Sequence, residues 1–495
     1  YPFLRYVRIN TVIIFIQGAK IVKIQKKLSA CTSILVGKKA MADNSTIIAR
    51  NEDAKTAWPK HLTVHEHKEF EEEQVFVSND NKFTMPLPKV RFRYSATPEW
   101  TDKFGLFEED GINEYGVAMS ATESAYSNPR VLGADPLVEN GISEEAMVTV
   151  VLPYIKSARE GVARLGSIIE KYGTSETNGV LFSDEDEVWY FESGSGHHWV
   201  AQRIPDDCYA VVANQLAIQK VDLDDPDNFM YSKGIVQFVY QNHFEVDFDN
   251  FNFRNVFGTH EYSDEIYSTP RVWYGQKYLS GDNDQDPMSE ELPFIRKANR
   301  LLHLDDIAYI LGSHYQNTPY DPLNNNNADG HKFRPISLAA TQESHILQIR
   351  SGMPVDVRGI QWLAMGVTAQ SSYIPFYPAA TDVHPAYKVG SETYDDKSAY
   401  WVYKLAGVLV DAHYKEFGKM LKDTQKEVTI LLNNKVHEID AKALTLSGQE
   451  LRDYLTTESI ACQQIGLDKY NELIAKLITA STALSPLSFK VDVNL

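Results

Sequence analysis

Cys31, in the stretch KIQKKLSACTSILVGKKA, is compatible with three different kinds of chemistry. The residues before it, Leu28 to Ala30, resemble the lipobox that precedes the lipidated cysteine of a bacterial lipoprotein. A small residue before cysteine also suits a cleavage point that uncovers a catalytic thiol at a new N-terminus. The third interpretation is a buried thiol at the start of a β-strand, with no chemical role.

If Cys31 is the first residue of the mature chain, it supplies both a nucleophile and a base. Its α-amino group has a reference pKa of about 7.7 to 8.0, and its thiol has one of about 8.5. The thiolate would attack an amide carbonyl, form a thioester and release the amine, after which water regenerates the enzyme. Because an acylated α-nitrogen cannot accept a proton, this chemistry excludes any peptide before Cys31 and any lipid on its thiol.

The segment before Cys31 is basic, contains no acidic side chain and includes the apolar run TVIIFIQGA. The run is too short to cross a bilayer, and KIVKIQKK, with four lysines, separates it from Cys31. A secretory signal has its apolar region next to the cleavage site, which disfavours that interpretation. No methionine precedes Met41, so we expect a fragment or upstream sequence read through. We predict that 1–30 is an N-terminal extension or propeptide that the mature enzyme lacks.

The two other cysteines, Cys208 and Cys462, lie in apolar surroundings and are predicted to be inert core thiols. With three cysteines in 495 residues, no CxxC pair and no cysteine-histidine spacing of the zinc type, we expect a reduced, cytoplasmic protein. The adjacent His197 and His198 would point to opposite faces of a strand, so they cannot chelate one ion together. We predict neither a metal site nor a cofactor.

The net charge of the chain indicates which kinds of partner it can bind. The chain has 48 lysines and arginines against 67 acidic residues, for a formal net charge of −19. Such a surface repels nucleic acid phosphates and anionic lipid heads, so we expect neither nucleic acid nor membrane as a partner. A hydrophobic fraction of 43% with 23% charged residues is typical of a globular chain. Assembly into a homo-oligomer is left open.

The elements that must position Cys31 begin with a β-hairpin. CTSILVG and STIIAR are β-branched runs joined by KKAMADN, so 31–53 is predicted to be a hairpin with Cys31 at the tip of its first strand. Residues 54–103 have loop character. Further strands are predicted at 116–124, 178–183, 187–193, 197–204, 208–215, 345–350 and 359–366, and the four from 178 to 215 are predicted to form one antiparallel meander.

Helical periodicity marks 143–173 and most of the last hundred residues. In 143–173, Ser143 is the predicted N-cap, Pro153 kinks or divides the helix and Gly173 ends it. The order of strands, helices, strands and helices favours an α+β fold of antiparallel sheets with segregated helices. A doubly wound parallel sheet fits poorly, because regular strand-helix alternation and a GxGxxG turn are missing.

Several segments together resemble the bacterial dipeptidase A family, which comprises N-terminal-nucleophile cysteine hydrolases related to the secernins and distantly to penicillin V acylase and bile salt hydrolase. These segments are ACTSILVGKKA, STIIARNED, GVAMSATES, RVLGADPLV, VVLPYIKSAREGVARLG, TNGVLFSDEDEVWYFE, SGHHWVAQRIPDD and FRPI. The resemblance runs from Cys31 to the C-terminal helices. It implies a four-layer αββα sandwich, with a hydrolase core at 31–390 and a helical C-terminal part at 391–495. It also implies hydrolysis of dipeptides without a metal.

The resemblance assigns the nucleophile and two neighbours at the N-terminal hairpin. Cys31 matches the nucleophile of the family. Arg50 and Asp53, in the R-x-x-D arrangement after the second strand, match the pair that flanks the cysteine in the wider acylase superfamily. Arg50 would lower the pKa of the thiol, and Asp53 would orient the α-ammonium group of the cysteine. The alternative for this pair is a surface salt bridge at the end of a strand.

Two further residues are assigned by resemblance, and a third by the chemistry of the substrate. Asn214 in VVANQ matches the superfamily asparagine that supports the oxyanion hole, and its alternative is an Asx-type loop residue. Arg271 in STPRVW matches the second active-site arginine. Glu123 in SATES is a candidate for binding the free α-ammonium group of a dipeptide, since a carboxylate does this directly.

The predicted activity is therefore that of a cysteine dipeptidase acting on small peptides. An amidase or acylase for non-peptide amides, such as conjugated bile acids or penicillin, is the nearest alternative and would use the same site. A non-catalytic lipoprotein that carries its lipid on Cys31 is the alternative from another class.

Overall fold

The computed structural model describes residues 31–281, 284–324, 326–485 and 487, and for Glu123 only the backbone. The predicted extension at 1–30 lies outside the described residues. The strands are β1 Thr32–Val36, β2 Ser45–Asp53, β3 Thr63–His65, β4 Lys68–Glu69, β5 Gln74–Val77, β6 Thr84–Leu87, β7 Val90–Arg91, β8 Tyr94–Ala96, β9 Asp110–Ile112, β10 Ala118–Ser124, β11 Asn178–Ser183, β12 Val188–Ser193, β13 Trp199–Ile204, β14 Tyr209–Val212, β15 Phe229–Tyr231, β16 Ile295–Arg296, β17 Thr341–Arg350, β18 Gly359–Met365 and β19 Ile374–Phe376.

Helices surround these strands. They are α1 Pro129–Ala134, α2 Glu144–Val151, α3 Ala158–Tyr172, α4 Ile235–Gln241, α5 Phe253–Phe257, α6 Tyr262–Tyr267, α7 Thr269–Ser280, α8 Leu304–Leu311, α9 Val355–Arg358, α10 Ala399–Ala412, α11 Tyr414–Ala443 and α12 Gly448–Ser481. The molecule is thus a mixed chain of antiparallel sheets and helices, with long helices at its C-terminal end. No helix in the described part of the chain is long and apolar enough to cross a bilayer.

A seven-stranded antiparallel sheet has the order β16-β14-β1-β2-β17-β18-β19. The predicted N-terminal hairpin is confirmed as β1 and β2, which pair with Ser33 opposite Arg50. Its turn is stabilised by Asp43, whose carboxylate accepts a hydrogen bond from the amide of Ser45. Asn44 has a φ of 57°, in the left-handed region that asparagine tolerates better than most residues. Local turn chemistry therefore explains this hairpin.

A six-stranded antiparallel sheet has the order β15-β13-β12-β11-β10-β9. The predicted meander is confirmed for β11, β12 and β13, but the prediction that the strand at 208–215 continues it is wrong. That strand is β14, and it pairs with β1 in the seven-stranded sheet. The amide of Cys208 donates to the carbonyl of Pro205 at 3.0 Å, so a short turn carries the chain from one sheet to the other. Hairpin spacing alone does not distinguish such a crossing from a continued meander.

Three apolar clusters hold the sheets and helices together. One contains Leu35, Ile48, Leu181 and Val212, residues of both sheets, so it fills the space between them. A second combines β11 and β12 with residues of α2 and α3. The third combines the seven-stranded sheet with α7, α8 and α10 to α12. Because both faces of the central strands are covered, β1 and β2 are buried along their whole length.

The helical prediction at 143–173 is confirmed as two helices, α2 and α3, separated by a 3-10 turn at Leu152–Tyr154 that contains Pro153. Gly173 ends α3 with a φ of 75°. The interpretation of 54–103 as loop is wrong, because β3 pairs with β8, β4 with β7 and β5 with β6. These strands span only two to four residues, too few for a period-two pattern to emerge.

Candidate active site

Cys31 lies immediately before β1 and is 4% exposed. The pairing of Ser33 with Arg50 brings the Arg50 side chain alongside the thiol. Nη1 of Arg50 lies 3.3 Å from Sγ of Cys31, and the arginine is fully buried. A guanidinium group at this distance stabilises a thiolate, the reactive form of cysteine.

Arg50 reaches from the seven-stranded sheet into the six-stranded sheet, where several acceptors hold it. Its Nε donates to Ser120 Oγ at 3.0 Å, and its Nη1 and Nη2 donate to the carbonyls of Thr122 and Ala121 at 3.0 and 2.6 Å. Nη2 also forms an ion pair with Glu109 at 2.5 Å. Burial opposes the charge of Arg50, but Cys31 and Glu109 outweigh that effect and raise its pKa. The cation beside the thiol is therefore fixed in place.

A second buried cation, Lys60, balances the acids around Arg50. Its ammonium group lies 3.2 Å from Glu52 and 3.4 Å from Glu109, and all three side chains are almost completely buried. Burial raises the pKa of Glu109, but Lys60 and Arg50 outweigh it, so the net shift is downward. Two cations and two carboxyl groups thus form a mutually paired group, in which burial and the neighbouring Glu109 raise the pKa of Glu52.

His345 extends this network on the side of Arg50 away from the thiol. It lies opposite Arg50 on the neighbouring β17, and its Nε2 lies 2.8 Å from Ser120 Oγ. Its Nδ1 lies 2.9 Å from Glu343, which with Asp110 completes a cluster whose geometry could hold a metal ion. Burial lowers the pKa of His345 to about 4, so the ring is neutral at neutral pH. Both ring nitrogens have hydrogen-bond partners, which favours a hydrogen-bonding role over metal ligation.

Arg271 contacts Cys31 from α7. Its Nη1 donates to the backbone carbonyl of Cys31 and, at 2.9 Å, to Thr32 Oγ1. Its Nη2 donates to Asn214 Oδ1 at 2.7 Å, and Nδ2 of Asn214 donates to the carbonyl of Ser124 at 2.9 Å. Arg271 therefore joins the residue that carries the thiol to the asparagine assigned by resemblance.

Asp53 forms an ion pair with Arg334 and accepts a hydrogen bond from Thr341. Burial raises the pKa of Asp53, and Arg334 is the main group that opposes this rise. Arg334 also lies 3.5 Å from Thr32 Oγ1, while the ring of Tyr267 lies under the guanidinium groups of both Arg271 and Arg334. Asp53 is thus coupled to the start of β1 through a third arginine.

A cavity of about 390 Å³ adjoins Arg334 and Asn214. It is lined by Tyr126, Asn214, Thr259, Glu261, Ser263, Asp264, Ile266, Tyr267, Ser268, His331, Lys332, Phe333 and Arg334. A cavity of this size accommodates a small molecule.

The model of peptidase family C69 matches residues 30–427 of the chain. The chain belongs to peptidase family C69. A Latilactobacillus sakei protein named "Probable dipeptidase" is 46% identical over 473 residues, covering 95% of this chain and 99% of the relative. A Lactococcus lactis protein named "Probable dipeptidase B" is 38% identical over 94% of this chain and 98% of the relative. "Dipeptidase A" of Lactobacillus helveticus is 37% identical over 94% of this chain and 99% of the relative.

The structure of this C69 peptidase brings most of the predicted residues together. Arg50 and Arg271 contact Cys31, Asn214 contacts Arg271, and Asp53 reaches the same region through Arg334. Glu123 lies on β10 opposite Gly179, and its side chain is outside the described residues.

Sequence reasoning missed Glu109, Lys60 and Arg334 in this C69 chain. Lys60 lies in the region interpreted as loop, and Glu109 directly precedes the short strand β9, so neither carried a signal. Arg334 belongs to FRPI, one of the motifs behind the resemblance, but no pattern singled it out. Glu144 follows the predicted N-cap Ser143, a position that indicates only the start of a helix, although its Oε1 lies 3.8 Å from Arg50 Nη1.

The other two cysteines differ from Cys31 in their surroundings. Cys208 and Cys462 are 7% and 0% exposed, which agrees with the prediction of core thiols. Burial raises the pKa of Cys208 to about 11 and that of Cys462 to about 12. Of these thiols, Cys31 is the one that contacts an arginine, so thiolate chemistry is favoured there.

Proposed function

We propose that this C69 peptidase is a dipeptidase that uses Cys31 as its nucleophile. The observation that carries the proposal is the 3.3 Å contact between Arg50 Nη1 and Cys31 Sγ in a buried, hydrogen-bonded setting. The names of the relatives support dipeptides as the substrate. The order of helices, sheet, sheet and helices around three clusters agrees with a four-layer αββα sandwich, and we propose that fold with a core at 31–390 and a helical part at 391–495.

In the proposed reaction the free α-amino group of Cys31 accepts the proton of the thiol, directly or through water. The thiolate adds to the carbonyl carbon, and the negative charge of the tetrahedral intermediate develops on the carbonyl oxygen. When the intermediate collapses, the carbon-nitrogen bond breaks and the α-ammonium group returns a proton to the leaving amine. Water then hydrolyses the thioester with the same group as base. The active enzyme must therefore lack a peptide bond to the nitrogen of Cys31.

The surrounding residues have separate roles in this proposal. Arg50 stabilises the thiolate, and Arg271 positions Cys31 through its backbone carbonyl. Asn214 lines the cavity and supplies to the oxyanion the N–H of Nδ2 that does not donate to Ser124. Asp53 orients the α-ammonium group of Cys31, with Arg334 keeping its carboxylate in place.

A panel of dipeptides and N-acyl amides tests the proposed function. We expect hydrolysis of dipeptides with various side chains and little or no cleavage of bile acid conjugates or penicillin. We also expect full activity after treatment with a chelator, because the thiol mechanism needs no ion. Preference for the N-acyl amides would indicate an acylase instead. Loss of activity on chelation, with recovery on adding metal, would point to the cluster of Asp110, Glu343 and His345.

Replacing Asn214 by aspartate tests the oxyanion role. The variant keeps an oxygen toward Arg271 but loses the N–H donors, so kcat should fall by roughly 10²-fold to 10³-fold with a smaller change in KM. Steady-state kinetics on one dipeptide measure the effect. Asn250→Asp, at an exposed position, is the control and should behave as wild type. An Asn214→Asp enzyme with normal kcat would remove the residue from the mechanism.

The cavity beside Asn214 is proposed to hold the leaving amino acid. Lys332 lines it at an exposed position and provides positive charge for a free carboxylate, while Arg334, which also lines it, is paired with Asp53. We expect Lys332→Met to raise KM for dipeptides roughly 3-fold to 10-fold, which corresponds to the net value of a typical hydrogen bond, without a comparable loss of kcat. Dipeptide amides, which lack the carboxylate, should be much less affected. Lys426→Met on α11 serves as the matched control. An equal change for acid and amide substrates would contradict this placement.

A further inference from the structure

Glu144 is a carboxylate beside the thiol that the proposed reaction has not used. It is the first residue of α2, and its Oε1 lies 3.8 Å from Arg50 Nη1, the nitrogen that contacts Cys31 Sγ. Its side chain is 19% exposed, whereas that of Glu109, which also pairs with Arg50, is 1% exposed. Of these two carboxylates at Arg50, Glu144 is therefore the one that a bound molecule can reach.

The geometry of a dipeptide makes this position informative. Its α-nitrogen is two bonds from the carbonyl carbon under attack, a separation of about 2.5 Å. A thiolate poised for attack lies roughly 3 to 3.5 Å from that carbon, and an ammonium group lies about 2.8 Å from a carboxylate oxygen that binds it. The acceptor must therefore lie within about 9 Å of the sulfur. Glu144 meets this condition, because a single nitrogen of Arg50 contacts both groups.

A buried acceptor lies near Glu144. Glu176 Oε2 accepts from the backbone amide of Glu144 at 3.2 Å and from Asn178 Nδ2 at 3.4 Å. Asn178 is fully buried, and its Oδ1 has no hydrogen-bond partner among the residues that the structure describes. A buried carbonyl oxygen without a donor is costly, so a donor supplied by a ligand would satisfy it.

The local charge also favours a cation. Burial and the neighbouring Glu109 and Glu176 raise the pKa of Glu144 to about 8, while Arg50 acts in the opposite direction. An ammonium group beside Glu144 would offset the repulsion among these carboxylates and favour ionised Glu144.

We propose that Glu144 binds the α-ammonium group of the dipeptide, with Asn178 as an additional acceptor. This inference rests on the proposed dipeptidase function and places the amino end of the substrate near α2. The carboxyl end then lies toward the cavity with Lys332 and Arg334. Glu144 is thus a specificity-determining residue that selects substrates with a free amino terminus. This role is the one for which Glu123 was a candidate, and the assignment of Glu144 does not depend on Glu123.

The test compares alanyl-alanine with propionyl-alanine, which has the same amide bond and carboxylate but no amino group. Wild-type enzyme should prefer alanyl-alanine in kcat/KM by roughly 10-fold to 100-fold, the value of one hydrogen bond between charged groups. Glu144→Gln should reduce this preference to within about threefold, because the neutral amide loses the ion pair. If turnover of propionyl-alanine is too slow, its inhibition constant against alanyl-alanine replaces kcat/KM in the comparison.

Glu145→Gln is the matched control. Glu145 follows on the same helix, but its carboxylate accepts a hydrogen bond from the amide of Leu106 at 3.0 Å, a role that glutamine retains. The control should keep the wild-type preference, and the rate at which iodoacetamide alkylates Cys31 should be unchanged in both variants. If Glu144→Gln keeps the wild-type preference for alanyl-alanine, or loses kcat/KM equally for both substrates, the inference about Glu144 is overturned. The proposed dipeptidase function would be unaffected by either result. Absence of alanyl-alanine hydrolysis by wild-type enzyme would overturn the dipeptidase function and the inference with it.

Discussion

Cys31→Ala should lose at least about 10⁴-fold in kcat for dipeptides, because removing the nucleophile of a covalent mechanism leaves only substrate binding and oxyanion stabilisation. The substitution removes one sulfur atom from a site whose neighbouring arginine has five other acceptors: Ser120, Thr122, Ala121 and two oxygens of Glu109. The fold should therefore persist, and circular dichroism with thermal unfolding checks this. Steady-state hydrolysis of a dipeptide panel measures the loss.

Cys208→Ala is the control for this experiment. Cys208 is also buried, but burial and the neighbouring Asp207 raise the pKa of its thiol to about 11, so it stays protonated at neutral pH. Its alanine variant should keep wild-type kcat and KM. A Cys31→Ala protein with more than about a hundredth of the wild-type activity would show that the peptide bond is attacked by another group.

Arg50→Met should reduce the free energy of unfolding by about 3 to 5 kcal/mol, because it leaves Glu109 with less buried positive charge. Lys60 still forms an ion pair with Glu109, but the same ammonium group is also paired with Glu52. The same variant should alkylate at Cys31 with iodoacetamide at least about tenfold more slowly at neutral pH, since the thiolate loses its cation. Urea unfolding and the alkylation rate measure the two effects.

A double variant separates the structural role of Arg50 from its chemical role. Arg50→Met with Glu109→Met removes one cation and one carboxylate and leaves Lys60 paired with Glu52. Replacing a buried ion pair by apolar side chains is often neutral, so most of the lost stability should return. Alkylation and dipeptide hydrolysis should stay slow. Recovery of hydrolysis in the double variant would show that Arg50 acts only in folding.

The contact between Cys31 and Arg50 was predictable because it is local. The turn at Asp43 and Asn44 defines the hairpin, and the hairpin register then places Arg50 beside the start of β1. Arg50 is buried because both faces of β2 are covered, but this burial does not specify its partners. Those partners come from the other sheet, which no hairpin pattern specifies.

The parts of the site that sequence reasoning missed depend on long-range packing. Arg334 and Asp53 are 281 positions apart in the sequence, and Lys60 and Glu109 are 49 positions apart. The crossing of β14 into the seven-stranded sheet had the same cause, since its partner β1 lies far away in the sequence. Buried charges are placed by such packing, and their residue types carry no periodic signal.

The most direct test of a cysteine nucleophile with a free α-amino group determines the N-terminal sequence and the intact mass of the active enzyme. The same enzyme is then alkylated stepwise with iodoacetamide, and its remaining activity is measured at each step. We predict that active protein begins at Cys31, and that activity falls in proportion to the addition of one carbamidomethyl group on Cys31. Full activity in protein that retains residues 1–30, or in protein alkylated at Cys31, would contradict this prediction.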